Sequence, residues 1–355
     1  MNLTVANPTR VHCVDLAKNK FQVHDFARSG ERLRVRTLSR AKFDAALSDP
    51  AVSGSLVVME ACASSHYWGR ELARRGYQVK LVPAQFVAKQ RMGSKTDGND
   101  ADAIFAVHRD VRVRPVPVKS LAQQDLCAEH RLRELLVGHR TACLNQLRSQ
   151  LAERGVVAPR GCENLRRLLA ELEAPPGGEI TPAFLVLVGD LAEQIDALDA
   201  RIAKIESRLA HVARNDATVR NVDSIHGVGL ITATAVVAHF GNDLGRFDSA
   251  RQFAASLGIA PRENSSGQTR RMGAITKRGD PYLRKLLVQC AQSVVRACHR
   301  RDDPISGLAQ RLLQRRSRNT VIVAVANRLA RIIYAVVKHG EPYRPRNVQL
   351  AAVTD

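Results

Sequence analysis

Aromatic side chains are scarce in this chain, 4% of 355 residues with a single tryptophan, so it has no stock of Trp and Tyr with which to anchor at a membrane interface. Its seven cysteines, Cys13, Cys62, Cys127, Cys143, Cys162, Cys290 and Cys298, are odd in number and scattered, and no C-x-x-C pair marks a zinc or redox centre. They read as reduced, mostly buried thiols of a cytosolic protein. The opening MNLTVANPTRVHCVDLAKNK lacks the apolar core of a signal peptide, and the apolar stretch near residues 320–337 is interrupted by Asn327, Arg328 and Arg331. Neither secretion nor a membrane partner is expected. Low-complexity tracts and internal repeats are lacking too.

Acidic charge is short. Asp and Glu number 34 against 54 Lys and Arg, a formal net charge of +20, and residues 261–350 alone carry 19 basic and 5 acidic side chains, a net of +14. A chain this basic meets a polyanion, and without a membrane anchor nucleic acid is the better partner. With 45% hydrophobic residues the chain has enough apolar mass for two or three folded domains.

Residues 11–26, VHCVDLAKNKFQVHDF, alternate and then turn like a β-hairpin, and LVVME (56–60) is a short apolar strand ending on a glutamate. HYWGRELARRG reads as a helix closed by Gly76, and YQVKLVP as a further strand closed by Pro83. Alternating strands and helices imply an α/β layer. From about residue 119 the period becomes helical. Leu191, Ile195, Leu198, Ile202, Ile205, Leu209 and Val212 form a heptad seam, expected to be a coiled coil or a helical hairpin. The segment around Leu132, Leu135, Leu136, Leu144, Leu147 and Leu151 is its candidate partner, within one chain or between two, across the Pro- and Gly-containing stretch 155–183. The last third opens with SIHGVGLITATAVVAHFG, where Gly227 and Gly229 punctuate a turn between helices. That pattern fits a helix-hairpin-helix, whose backbone N–H groups face phosphate, or a plain tight connection. Helices are expected over roughly 281–299, 304–316 and 320–338.

Within this basic chain, Asp15 falls on the first strand, Glu60 ends a later one, and Asp97 and Asp100 open a helix, DGNDADAIFAVHRD, on one face of it. Any one acid is commonly a solvated surface charge, but carboxylates on adjacent strands and one helix can place two divalent metal ions about 4 Å apart against a phosphodiester. One Asp, one Glu and a D-x-x-D pair in this context resemble the ribonuclease-H-like metal site. The loop PRENSSGQTRRMGAITKRGDPYLRKLL (261–287) sets Ser265 and Ser266 among Arg262, Arg270, Arg271, Lys277 and Arg278, a hydroxyl amid phosphate-binding cations. Ser-Ser-Gly is by itself usually a turn.

LVVMEAC, KTDGNDADAIF, SIHGVG, RQFAASLGIAP, the serine-glycine pair and TKRGDPYLRKLL occur in the order and spacing of the DEDD transposases of insertion sequences, and the chain resembles that family over nearly its whole length. These are RNA-guided serine recombinases, often called bridge recombinases, and the details are closest to the branch whose guide has been called a seekRNA. The resemblance implies an N-terminal RuvC-like domain whose four acids, Asp15, Glu60, Asp97 and Asp100, hold Mg²⁺, and a C-terminal transposase domain whose serine, Ser266 before Gly267, attacks DNA. It further implies a covalent phosphoserine intermediate, donor and target DNA, a structured non-coding guide RNA, and a tetramer built as a dimer of dimers in which the metal domain of one subunit meets the serine of another. The expected fold is α/β plus all-α: a ribonuclease-H-like (RuvC-like) domain over residues 1–115, a helical coiled-coil region over 116–215, and a mainly helical transposase domain over 216–355 with the helix-hairpin-helix-like segment. The expected location is the cytoplasm of a prokaryote, at the nucleoid. Two rival readings make different predictions. A RuvC-type metal-only nuclease uses water and tolerates Ser266→Ala, whereas a non-catalytic binding protein is indifferent to Mg²⁺ and to loss of any acid.

Overall fold

The computed structural model describes residues 10–48, 54–91, 97–159, 161–175, 177–242, 244–266, 269 and 271–345, with the side chains of Asp97 and Gly98 outside that description. The chain divides into two compact units, residues 1–121 and 122–355.

In the first unit β1 (Arg10–Asp15), β2 (Lys20–Ala27) and β3 (Arg32–Ser39) form an antiparallel meander followed by α1 (Arg40–Ala46), which Ser39 caps at the Lys42 amide. β4 (Leu56–Glu60), α2 (Ser65–Arg74) and β5 (Gln78–Val82) come next, then α3 (Ala84–Gln90) and α4 (Asp97–Arg109). The sheet order is β3-β2-β1-β4-β5, with β4 parallel to β1 and β5 parallel to β4. Consecutive positions of β1 and β4 are buried because both faces of the sheet are covered. Val14, Met59 and Leu81 pack with Phe43, Trp68 and Leu72 on one face, while Cys13, Val58 and Val82 pack with Ala103, Ile104 and Val107 of α4 on the other. The result is a three-layer α/β/α arrangement. The expected hairpin, strands and D-x-x-D helix are all found. Strand β3, short α1 and short α3 went unread in the sequence: β3 is an edge strand whose Leu33 is 49% exposed, so its apolar residues do not mark a buried face.

The second unit begins with α5 (Leu121–Ala152), continues through α6 (Cys162–Ala170) and returns along α7 (Pro182–Asn215), capped by Thr181 ahead of Pro182. Ile195, Leu198, Ile202, Ile205 and Leu209 of the expected seam are buried, and they meet α5 of the same chain. The ion pairs Glu129–Arg208 at 2.6 Å, Arg133–Glu206 at 2.6 Å and Arg140–Asp199 at 2.5 Å run in opposite residue order on the two helices, so these form an antiparallel hairpin. Within the chain, α7 thus pairs with its own α5. One part of the α5 expectation is corrected: Leu136, Leu147 and Leu151 face inward with Leu126 and Cys127, but Leu132 (38% exposed) and Leu135 (53% exposed) turn to solvent. The stretch between the helices is not a bare linker. Leu165 of α6 and Ile180 close the tip around Leu147, Leu151 and Phe184.

Then follow α8 (Ala217–Asp223), α9 (Leu230–Phe240), α10 (Ala250–Ser256), the two-stranded β6 (Pro261–Glu263) and β7 (Met272–Ile275), α11 (Pro281–Ala297), a single 3₁₀ turn, α12 (Pro304–Leu313) and α13 (Arg318–His339). Asp216, Asp280 and Asp303 each cap a helix through side-chain acceptance of backbone N–H groups, and in two of the three a proline fills the next position. Helix α13 is long and apolar enough to cross a membrane, but 61% of its most apolar window is buried within the protein. Val321, Val325, Leu329, Ile333 and Val337 explain that burial as the central column of a helical core.

Candidate active site and nucleic-acid interface

Parallel register places Val14 beside Met59, and one residue further on Asp15 and Glu60 end their adjacent strands. By alternation both share the sheet face of Cys13 and Val58, the face that α4 covers. Their field is felt nearby. The Cys62 thiol is pushed up to about 11, first by burial and then by the Glu60 and Asp15 carboxylates. Asp100, on α4 and only 7% exposed, is ion-paired with Arg91, a counter-charge that sequence reading missed because nothing in the pattern around Arg91 distinguishes it from other basic residues. Asp102 lies two residues on, about 200° around the helix, and points elsewhere, to His24 at 2.8 Å and Arg32 at 3.0 Å. A second polar network crosses the sheet, with His12 Nδ1 2.7 Å from Asp25 and Arg36 2.8 Å from the same carboxylate. This network holds Asp25 below its usual range: burial pushes the acid up, and His12 with Arg36 outweigh it.

The expected four acids are therefore brought together only in part. Asp15 and Glu60 are neighbours, Asp100 faces Arg91, and Asp97 opens α4 with its side chain outside the described residues. Among the described residues, no three His, Cys, Asp or Glu side chains gather at metal-ligand spacing. The donors are nevertheless hard carboxylate oxygens on adjacent strand ends. That chemistry suits Mg²⁺ rather than a soft metal.

In the second unit, α8 and α9 join through the turn 224–229. Gly227 takes φ +85°, and a Cβ there would stand 2.2 Å from Val294 Cγ2 on α11, so both backbone shape and packing require glycine. Gly229 is different: it is the N-cap of α9 with an ordinary φ of −112°. Val219, Val222, Ile225 and Val228 bury the inner side of this helix pair.

Strands β6 and β7 form an exposed two-stranded ribbon rising from the helical core. Its base is sewn down by Lys277 N–H to the Gly258 carbonyl at 3.0 Å and Thr276 N–H to the Ala260 carbonyl at 2.9 Å. Lys277 adopts φ +55°, rare for a residue with a side chain, and such outliers persist where surrounding contacts over-determine the backbone. Toward the tip, the Ser266 and Thr269 backbones pair in both directions, at 3.2 and 3.1 Å. The two candidate serines differ. Ser265 Oγ donates to Glu263 Oε1 at 3.0 Å and accepts the Arg271 amide at 3.3 Å. Ser266 is exposed, and its hydroxyl has no hydrogen-bond partner among the described residues. Arg262, Arg271, Lys277 and Arg278 are exposed, and among the described residues none is held in an ion pair. Gly267 and Arg270 lie outside the described residues.

Below the ribbon, Asp280 receives the Leu283 amide at 2.9 Å and faces His239 Nε2 at 3.1 Å. Burial raises this acid, but His239 and the backbone donors outweigh it and bring it down to about 2. His130 Nδ1 sits 3.0 Å from the Tyr282 hydroxyl and titrates down at about 4, chiefly through burial.

Two family models match the chain: a transposase model of the DEDD, IS110 type over residues 13–154, and the transposase IS116/IS110/IS902 family over residues 219–304. The first range contains all four candidate acids, and the second contains Gly227, Ser266 and the ribbon cations. Among similar proteins is a probable family 20 transposase of Pseudomonas aeruginosa, 41% identical over 94% of this chain and 98% of its own. The transposase for insertion sequence element IS1111A of Coxiella burnetii is 33% identical over 93% and 90%, respectively. The transposase for insertion sequence element IS1328 of Yersinia enterocolitica is likewise 33% identical, over 92% and 96%.

Proposed function

Because the chain belongs to the IS116/IS110/IS902 family of transposases, enzymes that cleave and rejoin DNA, we propose that it moves its insertion sequence as an RNA-guided serine recombinase. The observation that carries this reading is Ser266, an exposed hydroxyl near the tip of a ribbon flanked by Arg262, Arg271, Lys277 and Arg278, where among the described residues neither the hydroxyl has a hydrogen-bond partner nor any of these cations an ion pair. Ser265, by contrast, is occupied as donor and acceptor in holding the ribbon's shape.

The first unit is the RuvC-like domain in this reading. The family implies a divalent metal, typically Mg²⁺, and Asp15 and Glu60 would hold it with Asp97 and Asp100 as the further acids. Bound there, the ion supplies Lewis-acid neutralisation of charge on a scissile phosphate. Ser266 Oγ forms a bond to phosphorus and gives up its proton, the bond from phosphorus to the leaving DNA oxygen breaks and that oxygen takes up a proton as a hydroxyl, and a second DNA hydroxyl later attacks the phosphoserine to restore the Ser266 hydroxyl. Arg262, Arg271, Lys277 and Arg278, with Arg270, bind the flanking phosphates and offset the developing charge. The α8–α9 pair, with Gly227 and Gly229 at its turn, acts as a helix-hairpin-helix on the DNA backbone. Sequence choice belongs to pairing of donor and target DNA with a structured guide RNA, and the protein reads backbone and shape. The working assembly is a dimer of dimers in the bacterial cytoplasm, at the nucleoid.

The test is a denaturing-gel search for protein covalently joined to DNA, with the chain expressed beside its native flanking DNA as wild type, Ser265→Ala and Ser266→Ala. An adduct lost only in Ser266→Ala is expected. Mg²⁺-dependent nicking without any adduct, unchanged in Ser266→Ala, would replace this reading with the metal-only nuclease.

A further inference from the structure

The second unit holds a cleft of about 890 Å³ that shares no lining residue with the ribbon. Its floor is one face of α13. Arg328, Arg331, Ile332 and Ala335 stand three, four and seven residues apart and so line up on the same side of the helix. The opposite wall is the chain that leaves α13, with Pro342, Tyr343 and Arg344. That wall is fastened in place. The Tyr343 amide donates to Ser224 Oγ at 2.8 Å, and Asn221 Nδ2 donates to the Gly340 carbonyl at 2.8 Å. Both anchors belong to α8 and the turn that leads into Gly227, so the cleft adjoins the helix pair assigned to the DNA backbone.

Two chemical features are combined here. Arg328, Arg331 and Arg344 are exposed, and among the described residues none of them is ion-paired, with Glu341 the lone acid in the lining. Between those cations lies an apolar floor, Ile332, Ala335 and Val336, beside a half-buried tyrosine. A duplex turns its phosphates outward and hides the faces of its bases, so it has no use for such a floor. An unpaired strand offers both a phosphate chain and free base faces, which is the combination that basic grooves with aromatic platforms take.

We infer that this cleft binds a short single-stranded segment of nucleic acid, its phosphates on Arg328, Arg331 and Arg344 and one base on the apolar floor beside Tyr343. The inference rests on the transposase reading only for the availability of nucleic acid. Because its test measures binding without cleavage, failure of the serine chemistry leaves it standing.

Fluorescence anisotropy of the full chain against labelled oligothymidylate, oligouridylate and a blunt duplex, each across a salt series, provides that test. Arg328→Ala/Arg331→Ala removes two phosphate contacts and is expected to flatten the single-strand salt slope by about 1.4. Tyr343→Leu is expected to weaken single-strand binding by roughly tenfold with the slope retained. The matched control is Arg315→Ala/Arg316→Ala, two exposed arginines outside the cleft that carry the same charge. Equal losses on the two single strands assign recognition to phosphate and base, and a larger loss on oligouridylate adds the 2′-hydroxyl, either of which supports the cleft. A cleft variant that loses no more than the control, or a loss confined to the duplex, overturns it.

Discussion

Gly279 lies against the Ser256 backbone so closely that a Cβ on it would stand 1.9 Å from the Ser256 carbonyl oxygen. Gly258 is equally confined from the other side, with a Cβ position 2.1 Å from the Arg278 carbonyl oxygen, and both glycines take positive φ. These two close approaches fix the base of the ribbon that carries Ser266. Gly279→Ala and Gly258→Ala should each cost about 2 kcal/mol or more, since a left-handed backbone and a backbone clash combine. Urea unfolding followed by far-UV circular dichroism will read the loss.

The pairing of Asp280 with His239 makes stability depend on acid. The carboxyl titrates at about 2 in the folded protein and near 3.9 when unfolded, so its contribution is present above about pH 4 and disappears as pH falls toward 2. Asp280→Asn keeps a competent helix cap but loses the charge. Stability at pH 7 should drop by about 1 kcal/mol, a figure already reduced for solvent around a carboxylate about one-third exposed, and the wild-type decline between pH 4 and 2 should become shallower. Urea midpoints across that range will measure both effects.

Asp15→Asn and Glu60→Gln should each abolish Mg²⁺-dependent DNA nicking, by about a hundredfold or more, while leaving the fold intact. Both substitutions are nearly isosteric, so the melting temperature should stay close to that of the wild type. Nicking assays beside thermal melts separate the two effects.

The helical hairpin gives a paired test of inward and outward residues. Ile202, 5% exposed on α7, should cost about 2–4 kcal/mol on truncation to alanine, whereas Leu135→Ala on α5 should stay within about 0.5 kcal/mol.

Much of this arrangement was legible in the residues themselves. The seam on α7 was readable because one buried stripe runs along a long helix, and the D-x-x-D helix because its two acids stand three residues apart, on one face, at the head of a helical run. The partner stripe on α5 was only half readable. Leu132 and Leu135 are chemically indistinguishable from Leu136, and only the neighbouring helix decides which of them it covers. Short α6 escaped notice because the apolar residues around it do not span enough turns to show a period. For the site, adjacency of Asp15 and Glu60 follows from two strand ends and parallel pairing, but the Arg91–Asp100 ion pair depends on how α3 and α4 approach each other. The difference between Ser265 and Ser266 likewise lies in hydrogen bonds that no spacing encodes.

The hairpin has a mechanical corollary. At 1.5 Å per residue, the 34 residues of α7 make a rod about 51 Å long, the rise of roughly fifteen DNA base pairs. Arg166 of α6 grips both Asp196 and Asp199 at 2.7 Å, near the middle of the rod, and ties α6 along its flank. Removing matched heptads from both helices would keep the seam in phase while shortening the rod in steps of about 10 Å. Span is thus a property this protein can vary by whole repeats, as a gauge is cut to length, without altering a single atom at either end.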